Sequence, residues 1–294
     1  MVFILSKTNN KIRLFIDQNS KYVSNKNLNN LWSKMDNFFS IISETDNIVR
    51  IKLTNGKKHN PLSLELIKAL TKALVDVSSQ SKVKVIIISS EGPGFSAGHD
   101  LEELRQNKKN KVFFKNLFDE CSILMQTILR LPQPVIAEVC GIAAAAGCQL
   151  VASCDLAVAS EQSSFMTPGV NIGLFCSTPM VAVSRNVSRK KIMEMLLTGE
   201  KLSANEAVQF GLINKCVPLE RLHVDTLNLA KLIASKPTST VKIGKKAFYK
   251  QVEMSLDEAY NYTSEVMAIN MMEIDAHEGI SAFLDKRTPS WYEN

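Results

Sequence analysis

The sequence predicts an α/β fold, with a strand-rich core reaching to about residue 220 and a helical tail beyond it. Three observations carry the prediction. Short β-branched apolar runs alternate with longer segments whose apolar residues recur at helical spacing, so strand, turn and helix return roughly every forty residues. Two turns rich in glycine and alanine each follow a strand-like run and open a helix-like one. From Leu219 onward the pattern is almost wholly helical.

Residues 49–53 read as a strand, Asn55-Gly56 as a turn, and 62–77 as an amphipathic helix with Ser63 as its cap. The apolar run 83–88 suits a strand buried on both faces, ended by Gly92-Pro93-Gly94. Asp100 is placed to cap the next helix, with Glu103 completing a capping box, which sets His99 at that helix's mouth. A long helix is expected over 112–131, closed by Pro132 and Pro134, then a buried strand over 134–139 leading into Gly141. Residues 143–152 read as helix and 156–159 as strand. Ser203 and Glu206 form a second capping box, and Gly211 stops the short helix that follows.

The 294 residues are 45% apolar, and no apolar run is long enough to cross a bilayer, which fits one soluble domain with appendages. The net charge of +6 is uneven. Residues 1–35 carry six Lys/Arg against the single acid Asp17, leaving 29 bases and 28 acids in the remainder. No basic stripe with interleaved aromatics appears in that near-neutral body, which argues against a nucleic-acid partner. The Asn-, Lys- and Ser-rich first segment, 1–46, reads as a mitochondrial presequence, with a disordered cytosolic extension as the alternative. The strand-rich core would then span 47–220 and the helical region 221–294. Cys121, Cys140, Cys148, Cys154, Cys176 and Cys216 lack the close paired spacing of zinc sites and mostly sit in apolar runs, so a reducing interior and no metal are expected.

The chemistry lies in the two turns, Gly94-Phe95-Ser96-Ala97-Gly98-His99-Asp100 and Gly141-Ile142-Ala143-Ala144-Ala145-Ala146-Gly147-Cys148-Gln149. Each can aim unpaired N–H groups at a ligand oxygen, and two such turns can form an oxyanion hole. A thioester carbonyl gains negative charge when its α-carbon loses a proton or its β-carbon accepts a nucleophile. Each preorganised donor is worth on the order of 10² to 10³ in rate. The plainer reading is that residues 143–146 are a tightly packed buried helix.

From Ile48 to the C-terminus the chain resembles the enoyl-CoA hydratase/isomerase, or crotonase, superfamily. The resemblance rests on both turns, on Pro132-Gln133-Pro134-Val135-Ile136-Ala137, on Ser153-Cys154-Asp155-Leu156-Ala157-Val158-Ala159 and on Leu197-Thr198-Gly199-Glu200. It implies a spiral of β-β-α repeats, with an acyl-CoA thioester as ligand and no separate cofactor. It further implies an oxyanion hole made by the backbone N–H groups of His99 and Ala146. Ala97, Asp100, Gly147 and Cys176 would line the ligand. Tail helices would build a homotrimer or hexamer, and Phe283 and Lys286 would approach the CoA of a neighbouring subunit. A closer likeness, carried by residues 145–155 and 167–179, is to a subgroup whose members are expected in mitochondria; a cytoplasmic location follows if the first segment is not a presequence.

The resemblance also exposes a departure. Hydratases of the superfamily hold one water between two glutamates, and the matching positions here are Gln149 and Gly169. An amide cannot exchange a proton near neutral pH and glycine has no side chain. Since each such group contributes about 10² to 10⁴, ordinary hydration should be very slow. Replacement groups considered are the His99 imidazole, Cys148, Cys176 and Ser177. Against these, His99 is expected to offer its backbone and a solvated ring, Cys148 to fill core, Asp155 to be structural and His277 to lie at the surface. The expected function is acyl-CoA binding in mitochondrial fatty-acid metabolism, with an active hydratase or isomerase using a non-standard acid/base as the alternative. A remote reading makes Ser96 a hydrolase nucleophile with Asp155 and His223 or His277, but Gly92-Pro93-Gly94 interrupts the strand-to-serine run that such an elbow needs.

Overall fold

The computed structural model describes residues 5–8, 11–14, 38–45 and 47–292. The chain forms two compact units, 1–37 and 38–294. In the first, β1 (Leu5–Thr8) pairs antiparallel with β2 (Lys11–Leu14). Apart from these strands and residues 38–45, the segment read as a presequence lies outside the described residues.

The second unit begins earlier than residue 47. β3 (Phe39–Thr45) pairs antiparallel with β4 (Ile48–Leu53), so the boundary placed after residue 46 moves back to Phe38. The reason is legible once the strand is seen at a sheet edge. Phe39 is buried while Ile41 and Ile42 are exposed, so composition looks polar although the backbone completes a ladder.

The repeats wind as a spiral. β5 (Val85–Ser90), β7 (Val135–Val139) and β9 (Leu156–Ser160) join a six-stranded sheet whose order is β12-β9-β7-β5-β4-β3. The strand following each of them, β6 (Gly94–Ser96), β8 (Ile142–Ala144) and β10 (Ser164–Met166), joins a second sheet of order β11-β10-β8-β6. β11 (Leu202–Ser203) and β12 (Lys215–Val217) complete the two sheets. Helices α1 (Leu64–Ser78), α2 (Leu101–Gln106), α3 (Lys111–Arg130) and α4 (Ala146–Ser153) return the chain from turn to turn. Every pairing in the large sheet except β3–β4 is parallel, and Val85 to Ile88 is wholly buried, as a parallel strand covered on both faces must be.

Residues 143–152 are not one helix. Ala143 and Ala144 are strand, paired in parallel with β6 and β10, and Ala145 takes φ +49° before α4 starts at Ala146. Alanine favours helix locally, but the ladder on both sides of β8 outweighs that preference.

The caps hold with one change. Ser63 accepts from Leu66 N–H, and Ser203 and Glu206 close a full capping box on α7 (Ala204–Gln209). Asp100 accepts from the N–H groups of Glu102 and Glu103, but the Glu103 carboxylate turns to the Leu64 N–H at 3.0 Å. Half the expected box is therefore spent in tying α2 to the start of α1.

Between the repeats and the tail lie α5 (Pro179–Val183) and α6 (Arg189–Thr198). The tail divides in two. α8 (Leu219–Ala234) packs Ala230 and Ala234 on Ile48, Val85, Ile87 and Ile136 and so belongs to the core. α9 (Thr238–Gln251), α10 (Leu256–Met271) and α11 (Ile274–Leu284) pack on one another, and α10 has no buried residue. Among the described residues no helix is long and apolar enough to cross a membrane.

Candidate functional site

Parallel pairing of β6 with β8, Gly94 opposite Ile142 and Ser96 opposite Ala143, delivers the two turns side by side. They then touch. A Cβ on Gly147 would stand 2.4 Å from the Ser96 carbonyl oxygen, and one on Gly98 would lie 2.9 Å from the Ala144 oxygen and 3.2 Å from the Ala146 nitrogen. Gly98 also has φ +91°, a conformation open to glycine. No larger residue fits either place without moving backbone.

In the first turn, Ala97 N–H donates to His59 O, Gly98 N–H to Ser96 Oγ and Asp100 N–H to Leu62 O. The His99 N–H between them has no acceptor among the described residues. In the second, Ala145 N–H donates to Met166 O, and Ala146 is the first residue of α4, so its N–H has no partner inside the helix. The two donors singled out in the sequence therefore sit on turns in contact, both unsatisfied. Of the other residues expected to line a ligand, Ala97 is exposed, Asp100 caps α2 and Gly147 makes the contact itself.

The His99 ring is not solvated. It packs edge-on against Phe118 of α3 with centroids 5.4 Å apart, its Nδ1–H donates to Leu62 O at 3.3 Å, and Nε2 is buried without a partner. Burial holds its pKa below the usual histidine range, so the ring is neutral near physiological pH. The aromatic neighbour that withdraws it from water comes from a different helix.

Neither acid position can carry proton transfer. Gln149 is buried, 4% exposed, with Oε1 facing Cys121 Sγ at 3.9 Å. Gly169, in the 3₁₀ turn Pro168–Ile172, donates its N–H to Cys176 Sγ at 3.3 Å and accepts from Leu174 N–H at 2.9 Å. A Cβ on Gly169 would lie 2.9 Å from both that sulfur and the Leu174 carbonyl oxygen. A side chain at this position requires the turn to shift. Of the acids that follow the first turn, Asp100 and Glu103 are engaged in capping and Glu102 pairs with Arg105 at the surface. Cys148 is core, its thiol pushed up to about 12 by burial, and burial raises the Cys176 thiol as well. Ser177 is exposed, in a loop whose Val170, Ile172, Leu174 and Phe175 are also exposed.

Asp155 is structural. Its Oδ2 accepts from Val135 N–H and from Lys245 Nζ, each at 2.6 Å, and the same ammonium donates to Ile128 O and Gln133 O. The hydrolase reading loses its parts: Ser96 is fully buried between Asn60 O and Gly98 N–H, Asp155 is held by Lys245, His223 lies against Arg50, and His277 is at the surface. Phe283 and Lys286 are exposed at the end of α11.

Two clusters escaped sequence reasoning. Asn60, fully buried at φ +49°, donates from Nδ2 to Glu91 O and Gly94 O and so pins the first turn; the Asn60-Pro61 pair was its only signal in the sequence. Arg50 is buried inside a β-branched strand and pairs with Glu44 of the adjoining β3 and with the sequence-distant Glu138 of β7 and His223 of α8.

Two donor turns converging within a β-β-α spiral define a class. The enoyl-CoA hydratase/isomerase family model matches residues 43–294, and the chain belongs to that family. It is 51% identical to human enoyl-CoA hydratase domain-containing protein 3, mitochondrial, over 248 residues, 84% of this chain and 82% of that one. The protein of the same name from Xenopus laevis is 48% identical, covering 86% of this chain and 85% of its own. Among solved structures, human enoyl-CoA hydratase domain-containing protein 3 superposes with TM-score 0.83 at 50% identity over 86% of this chain and 99% of that one. Mycobacterium smegmatis enoyl-CoA hydratase gives TM-score 0.84 at 42% identity, covering 86% and 98%. The spiral with its C-terminal helices is the crotonase fold of these proteins.

Proposed function

We propose that this protein binds an acyl-CoA thioester whose carbonyl oxygen accepts from the His99 and Ala146 N–H groups, and that it hydrates enoyl-CoA very slowly or not at all. One observation carries the reading: the two turns touch at Gly98 and Gly147 with both N–H groups unsatisfied, while the acid positions hold an amide and a sealed glycine. An oxyanion site without a proton-transfer group polarises a thioester but delivers no water to it. The ligand is the CoA thioester itself, with no further cofactor.

The reading extends to acyl-CoA or fatty-acid metabolism in mitochondria, supported by relatives whose names place them there. A homotrimer or hexamer is supported by exposed apolar side chains along the tail, among them Tyr260, Met267, Met272 and Phe283. A second reading, an active hydratase or isomerase with an unusual base, draws on the unpartnered His99 Nε2.

A thermal-shift titration with CoA and a series of acyl-CoAs tests the proposal. Acyl-CoAs should raise the melting temperature with saturation and crotonyl-CoA should persist unhydrated. No stabilisation by any of them overturns the binding claim. Rapid hydration abolished by replacing His99 with Gln establishes the second reading instead.

A further inference from the structure

The turn that closes over Gly169 does more than lack an acid. Gly169 N–H donates to Cys176 Sγ, Leu174 N–H donates to Gly169 O, and Met180 N–H donates to Cys176 O, so the turn is laced from both ends. Cys176 is 7% exposed, and its sulfur lies 2.9 Å from the place the first side-chain atom at position 169 would take. The Leu174 carbonyl stands at the same distance on another side. Contacts this short are not found between packed atoms, so a side chain there requires the turn to open.

We propose that Cys176 is the positioning residue that denies this site hydration: its side chain holds the 169–176 turn shut over the place from which a second acid would reach the acyl β-carbon. The proposal rests on the acyl-CoA reading above and deepens it, because it states what kind of substrate chemistry the site refuses and why. Restoring the two missing glutamates is then not enough. A side chain at 169 meets the Cys176 sulfur and the Leu174 carbonyl oxygen at the same distance, and the turn must be released before a carboxylate there can stand beside a water.

The mechanism predicts an order of dependence among three substitutions. Gln149→Glu/Gly169→Glu should hydrate crotonyl-CoA no more than a few-fold faster than wild type. Adding Cys176→Gly should raise the rate by about 10² or more, the scale of one working acid/base group. Binding of butyryl-CoA, measured by calorimetry on the same proteins, separates the two levels of inference. Wild type that fails to bind butyryl-CoA removes the acyl-CoA reading on which the proposal stands. Wild type that binds, with a double variant as fast as the triple, overturns the role of Cys176 alone, as does a folded, binding triple variant that gains nothing.

The steric half is read without any ligand. Gly169→Ala should lower the melting temperature in the wild-type background and lower it less in a Cys176→Gly background, where only the Leu174 carbonyl contact remains. Equal losses in both backgrounds would show that the sulfur does not hold the turn.

Discussion

Gly147 and Ser96 lie so close that a Cβ on the glycine would stand 2.4 Å from the serine carbonyl oxygen. The contact joins the two strand-to-helix bends, and the positions of the His99 and Ala146 N–H groups depend on it. Gly147→Ala must push the bends apart. It should cost about 1–3 kcal/mol in chemical denaturation, as overpacking does, and weaken acyl-CoA binding at least about tenfold by calorimetry. Loss of stability with unchanged affinity would separate the contact from the ligand site.

Lys245 and Asp155 make the second long-range tie, 2.6 Å apart and both largely buried. Lys245→Met leaves a buried carboxylate without its partner and two carbonyls without a donor, so about 3–5 kcal/mol of stability should be lost. The double variant Lys245→Met/Asp155→Asn should recover part of that loss. Urea unfolding of the three proteins measures it, and a single variant as stable as wild type contradicts the assignment.

The buried His99 ring makes stability depend on pH. Its folded pKa lies below the unfolded value of about 6.5, so the unfolded chain binds more protons once pH drops through that value. Stability from this group is intact above pH 6.5 and declines below it, until the folded pKa is reached. His99→Gln should flatten the difference in melting temperature between pH 7.5 and pH 5.5. In NMR titrations the His99 ring should stay neutral below about pH 6.5, where an unburied imidazole takes up its proton.

Thiol chemistry should follow burial. Cys121 and Cys148 are pushed up to about 12 by desolvation, whereas Cys216 is partly exposed. Brief iodoacetamide treatment near pH 8 should label Cys216 in the native protein, and Cys121 and Cys148 only after unfolding. Mass spectrometry of the peptides decides it; early labelling of Cys148 would mean the second turn is open to solvent.

Local pattern made much of this fold readable. The runs that became β5 and β9 are almost wholly apolar because both faces are covered, and Ser63 and Ser203 mark helix starts by chemistry confined to one turn. The donor turns were readable for the same reason, since small residues crowd where backbone must approach backbone. What escaped depends on distant parts of the chain. β3 is half exposed and reads as polar, Ala143 and Ala144 are strand only because β6 and β10 flank them, and the His99 ring is buried by a phenylalanine nineteen residues away in sequence. The sealing of position 169 is likewise invisible in a run of letters: glycine shows that an acid is missing, while only the Cys176 and Leu174 contacts show that a side chain enters only if the turn shifts.

The carbonyl stretch of a bound thioester reads the two N–H donors directly. Infrared difference spectra of butyryl-CoA carrying ¹³C at the thioester carbonyl, bound to wild type and to Gly98→Ala, compare the bond with and without both bends in place. Two aligned donors should move the wild-type band to clearly lower frequency than in solution, and the variant should lose most of that displacement. A bound thioester whose carbonyl vibrates as it does in water would contradict convergence of these amides on its oxygen.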